Sequence, residues 1–134
     1  MKAKDLMIGD WVYNKNIDKP MQVYPVMFSQ MFRSNPDATT EDYNIFPIPL
    51  TAEILEKNGF KNTSVVIIGT RKMRWVSDDT RTEITIWMDD TLPMEIVKNV
   101  YYEDEVTYTL PFPGTVSQLQ HALRLCGIEK EITL

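Results

Sequence analysis

The stretch TEITIWM, residues 82–88, limits the fold of this chain more tightly than any other. Ile84, Ile86 and Met88 alternate with Glu83, Thr85 and Trp87. Successive side chains of a strand point to opposite faces, so this alternation builds one face to be buried and one to meet water. EVTYTL, residues 105–110, repeats it, with Val106, Tyr108 and Leu110 against Thr107 and Thr109. Half-buried strands of this kind belong in antiparallel sheets with one covered face. SVVIIG and KMRWV precede the first run, and MEIVKNVYY lies between the two. That last segment also suits a helix, because Ile96, Val97, Val100 and Tyr101 share helical spacing; its β-branched and aromatic content decides for strand. With the short acidic turns SDDT, DDTLP and EDE, residues 64–110 are predicted to form an antiparallel meander.

Helices flank this sheet in the sequence. In PIPLTAEILEKNGF, Thr51 is a good N-cap, Glu53 suits the positive end of the helix dipole, and Gly59 is placed for a left-handed C-terminal cap. Ile54 and Leu55 are expected to face a core. After PFPG a final helix starts near Thr115 or Val116 and ends at Gly127. Val116, Leu119, Ala122, Leu123 and Cys126 form one apolar stripe on it, with Ser117, Gln118, His121 and Arg124 on the other side. Towards the N-terminus, IGDWVY sets a Gly-Asp turn before an aromatic and β-branched strand. QVYPVMF is read as a second extended run, its Pro25 confined to an edge, and SQMFRSNPDATTED as the best candidate for a mobile loop. A turn leading into short strands suits a small barrel or curled sheet. The expected fold class is α+β: an N-terminal β-rich segment (1–47) of that kind, then a segment (48–134) in which a short helix leads to an antiparallel sheet packed by a C-terminal helix. At 134 residues the two can form one compact domain.

Several kinds of chemistry lack the residues they need. There is one histidine and one cysteine, so neither a zinc site nor an internal disulfide is available within the chain. His121 and Cys126 lie about 140° apart on their helix and cannot act as a couple; Cys126 belongs to the buried stripe. Ser117 and His121 are four residues apart, but no nucleophile elbow surrounds the serine, and the pair is read as polar residues of an outer helix face. The five glycines are scattered and build no phosphate loop, and no cofactor is expected. Asp78, Asp79, Asp89, Asp90, Glu103, Asp104 and Glu105 supply oxygen ligands of the type magnesium or calcium takes, without an EF-hand pattern. Acidic pairs in hairpin turns are the ordinary markers of strand ends. In RKMRW, Arg71, Lys72 and Arg74 are the one hint of a nucleic-acid surface. On a strand Lys72 and Arg74 share a face while Met73 and Trp75 share the other, which separates charge from aromatic. A net charge of -5 also argues against a general nucleic-acid binder. Trp87 occupies the polar side of its strand, where it is either covered by another segment or anchors a partner. Asp5, Gly9 and Asp10 interrupt any leader-like apolar run, and the longest aliphatic run, Val65–Ile68, is far too short to cross a bilayer, so the expected location is cytoplasmic and no membrane contact is expected.

IGDWVY, PIPLTAEILEKNGF and VSQLQHALRLCGIEKEI together resemble a group of small proteins of gut bacteria of the Bacteroidetes phylum and of their phages or mobile elements. The resemblance implies a bacterial or phage origin and carries no activity; where relatives often have His before QLQ, this chain has Ser117. The leading expectation is a non-enzymatic binding or accessory module, with Trp87, His121, Arg124 and Gln118 as candidate partner-binding residues for a protein partner or a second copy. The rival is a small hydrolase or metal-dependent enzyme using the acidic turns, and the third a nucleic-acid accessory protein.

Overall fold

In the computed structural model the described residues are 2, 5–34, 37, 39–63, 70–78, 82–89, 94–100, 105–110 and 114–134. They are α+β, and the chain divides into two units, one of residues 1–49 with 115–120, the other of 50–114 with 121–134. None of the helices described is long and apolar enough to cross a membrane.

The first unit contains β1 (Trp11–Asn14), β2 (Lys19–Gln22) and β3 (Ile45–Pro47), all antiparallel in the order β2-β1-β3. The Gly-Asp turn forms as the sequence predicts. The Asp10 amide donates to the Met7 carbonyl (3.1 Å), Gly9 takes φ 92°, and the Asp10 carboxylate accepts from the Met7 amide (2.8 Å). A third-position residue at positive φ favours glycine because a side chain would crowd the backbone there. Residues Pro25–Ser34 correct the expectation for QVYPVMF: they form helix α1 rather than an extended edge. Proline at the first helical position has no N–H to leave unsatisfied and its fixed φ suits a helix, so Pro25 starts the element that it was expected to exclude. Met27 and Met31, four residues apart, then lie buried on one face of α1 beside Leu6, Val12, Val23 and Ile45. The stretch expected as a mobile loop therefore begins as the end of α1, and Thr40–Tyr43 form a 3-10 turn that Asn44 closes at φ 58°.

The second unit opens with α2 (Ala52–Lys57), which Thr51 caps through its hydroxyl to the Ile54 amide (3.3 Å). It ends as expected on Gly59 at φ 87°, where the Phe60 amide reaches the Leu55 carbonyl (3.0 Å) and the Gly59 amide reaches Glu56 (3.1 Å). Leu55 is buried and Ile54 half-buried. The sheet is an antiparallel meander of β4 (Lys61–Asn62), β5 (Thr70–Val76), β6 (Thr82–Asp89), β7 (Met94–Val100) and β8 (Val106–Leu110), each antiparallel to the next; β5 to β8 fall within the predicted span, while β4 precedes it. The segment with two readings, MEIVKNVYY, is a strand through Val100, while SVVIIG lies outside the described residues. Met73, Ile84, Ile86, Ile96 and Leu110 are buried and share one face by register. Phe60 packs its ring 6.5 Å from that of Trp75 on the same side. Asn58 ties in the C-terminal segment, donating to the Ile54 and Thr133 carbonyls (2.7 Å each) and accepting from the Thr133 amide (2.8 Å).

Helix α3 (Val116–Leu125) has its first residues in one unit and its last in the other. Its stripe of Val116, Leu119, Ala122, Leu123 and Cys126 is buried throughout. Gly127, at φ 73°, ends it in the same pattern as α2, with the Ile128 amide on the Leu123 carbonyl (2.9 Å) and the Gly127 amide on Arg124 (2.9 Å). Ser117 departs from the expected solvent-facing side: it is buried, 2% exposed, with its hydroxyl 3.3 Å from that of Thr115. A single apolar stripe implies packing through one face, whereas this helix also buries Ser117 and Gln120.

Candidate binding surface

The second face of the five-stranded sheet is set by register. One cross-strand row runs Lys72, Trp87, Glu95, Thr109, and the next runs Lys61, Arg74, Thr85, Val97, Thr107. Period-two alternation aims these side chains away from Met73, Ile84, Ile86 and Ile96. Trp87 is half-buried, with the Lys72 ammonium 5.2 Å from the centre of its ring, an arrangement in which the cation sits over the negative face of the indole. Arg74 grips Glu83 with two contacts, Nε to Oε1 at 2.7 Å and a terminal nitrogen to Oε2 at 2.9 Å. The Arg74 hydrogen bond and charge hold the Glu83 carboxyl below its ordinary range, and the Thr85 hydroxyl adds a contact at 3.3 Å. Trp87 is thus flanked in its row by a lysine on one side and a carboxylate, Glu95, on the other.

Within β5 charge and aromatic are separated, since Trp75 lies on the face opposite Lys72 and packs at a tilt against Phe60, with the Lys130 ammonium 5.2 Å from the centre of its ring. Across strands the separation is lost, because pairing of β5 with β6 places Trp87 directly opposite Lys72. Nothing in a single strand's alternation discloses which residue its neighbour sets beside it.

The other candidates are carried on α3. Gln118 is engaged at the start of α3: its Oε1 accepts from the Thr115 amide (3.0 Å) while its own amide donates to the Thr115 hydroxyl (3.3 Å). This reciprocal capping box was readable as T-x-x-Q, and it assigns Gln118 a structural task. His121 is half-buried and Arg124 exposed. The Lys98 ammonium, carried on the buried face of the sheet, reaches the Cys126 carbonyl at the end of α3, so this end of the helix lies on the side of the sheet away from Trp87. Cys126 is buried as predicted, and burial pushes its thiol up against the opposing effect of Lys98. Of the acidic turn residues, Asp78 and Glu105 are exposed, Asp89 ends β6, and Asp79, Asp90, Glu103 and Asp104 lie outside the described residues. Among the described residues no three histidine, cysteine or acidic side chains converge to hold a metal ion.

A residue the sequence reading passed over is Gln120. Buried on α3, it accepts from the Trp11 amide (2.8 Å) and donates to the Gly9 carbonyl (3.0 Å), so its side-chain amide pairs with β1 much as a strand would. Comparison with protein-family models, with curated proteins and with solved structures finds no match to this chain.

Proposed function

We propose that the protein is a non-enzymatic binding module, cytoplasmic and of bacterial or mobile-element origin, that engages a protein partner through the sheet face centred on Trp87. The observation that carries this reading is the row Lys72, Trp87, Glu95, in which one half-buried tryptophan has a lysine over its ring and a carboxylate in register on its other side. Interface hot spots are enriched in tryptophan, and mixed charges around such an anchor set orientation. A surface with both signs of charge, on a chain of net charge -5, suits a protein better than a phosphate backbone. The resemblance of the N-terminal strand, the α2 segment and α3 to proteins of gut Bacteroidetes and their phages supports the origin. The test is capture from lysate of such a bacterium on immobilised wild-type protein and on W87A and K72E, with the fold of each variant checked by circular dichroism. A protein retained by the wild type and lost from both variants is expected. Equal retention by all three, or turnover of a small molecule by the wild type, contradicts the reading.

A further inference from the structure

Four strands border the two sheets among the described residues: β2, β3, β4 and β8. A bordering strand leaves a row of backbone N–H and C=O groups able to pair with a further strand, and proteins guard such edges with short length, lysine or proline. β2 carries Lys19 and Pro20, β3 spans three residues and ends on Pro47, and β4 spans two residues and begins on the exposed Lys61. β8 has none of these devices. Its five residues, VTYTL, include no charge, proline or glycine, and all favour or tolerate extended backbone. Thr107 and Thr109 are exposed, and Val106 is 43% exposed although its register places it on the face that carries Ile84, Ile86 and Ile96.

The same five residues read almost alike in both directions. Antiparallel pairing about a two-fold axis at Tyr108 sets Tyr108 opposite its own copy, Thr107 opposite Thr109, and Val106 opposite Leu110. Aromatic then meets aromatic, hydroxyl meets hydroxyl and aliphatic meets aliphatic, the cross-strand pairs that stabilise sheets. A slip of one residue breaks each match and turns the apolar side chains to the wrong face. We infer that β8 pairs with β8 of a second copy of this chain about a two-fold axis at Tyr108, joining two five-stranded sheets edge to edge. One strand pair of this length buries less than the roughly 1,200 Å² of a stable complex, so the dimer dissociates on dilution. Thr107 and Thr109 border the Trp87 face, but the pairing runs along the backbone edge of β8 and does not depend on Trp87 binding a partner.

Sedimentation velocity over a concentration series at low ionic strength tests the pairing and its register. The wild type is expected to pass from monomer to dimer as concentration rises. T107K/T109K sets like charges opposite each other at both symmetric contacts and raises the dissociation constant by about tenfold or more. T107E/T109K sets opposite charges there and returns it to near or below the wild-type value. Both positions are exposed on an outer strand, and circular dichroism verifies that the variants fold. A wild type that stays monomeric throughout, as an edge reserved for another protein's peptide would give, overturns the inference. So does a T107K/T109K variant that dimerises like the wild type, or a T107E/T109K variant that stays as weak as T107K/T109K.

Discussion

Replacing Gln120 should be among the most damaging single changes to a polar residue in this chain. The Trp11 amide donates to Gln120 Oε1, and the Gly9 carbonyl accepts from Gln120 Nε2 and also from Gln22 Nε2 (3.1 Å). In Q120A the Gly9 carbonyl keeps its second donor, while the Trp11 amide loses its acceptor. An orphaned buried donor costs about 1–3 kcal/mol and a lost ordinary hydrogen bond about 1 kcal/mol, which gives a destabilisation of about 2–4 kcal/mol. Q120E separates the two contacts. Its carboxyl still accepts from Trp11, but the other oxygen faces the Gly9 carbonyl, and burial together with that carbonyl favours the protonated form. The folded-state pKa of the new carboxyl is then raised above its unfolded value. Its favourable contribution is therefore present at low pH and lost as pH rises through the folded-state pKa. Urea denaturation of wild type, Q120A and Q120E at about pH 5 and about pH 7 provides the check, with the deficit of Q120E growing towards neutral pH. A loss below about 0.5 kcal/mol in Q120A would refute the claim that this side chain satisfies buried backbone, since that is the range of ordinary surface substitutions.

Leu123→Ala, which empties a fully buried site on α3, should cost about 2–5 kcal/mol in the same assay, and a loss under about 0.5 kcal/mol would show that the site is not part of a packed core. Gly127→Ala meets no atom within 4 Å, so its cost of about 1–2 kcal/mol comes from the backbone at φ 73° alone, and Gly127→Asn should cost less because asparagine tolerates that conformation; equal losses in both would point to crowding instead. For Glu83 the folded-state pKa is lowered by Arg74, so the stability the pair contributes is present above the unfolded carboxyl pKa and lost as pH falls through the folded one. The difference between wild type and Arg74→Ala should accordingly shrink in acid and in high salt, and a difference independent of both would show that Arg74 acts through packing.

Much of the architecture was legible because it depends on short-range rules. Alternation over 82–88 and 105–110 requires half-buried strands whatever surrounds them, and caps at Thr51, Gly59 and Gly127 punctuate helices through local backbone geometry. The stripe through Leu119 and Cys126 is a consequence of helical period alone. The capping box of Thr115 and Gln118 was equally local, though its meaning competes with that of an exposed polar face. Pro25 shows the limit of such rules, since proline starts a helix as readily as it guards an edge; here the four-residue spacing of Met27 and Met31 onto a buried cluster settles for helix.

Tertiary structure decided what meets what across distance in the chain. Each strand sequence states which residues share its own face, and only pairing register places Trp87 opposite Lys72 or leaves β8 at the border of the sheet. Ser117 and Gln120 are polar by composition yet buried, because their side chains meet partners that only the fold supplies, the Thr115 hydroxyl for Ser117 and the backbone of Gly9 and Trp11 for Gln120. Hydrophobic periodicity is a property of one element's relation to water, whereas hydrogen-bond partners and cross-strand neighbours are properties of two elements brought together. The first is written along the chain, and the second exists only once the chain has folded.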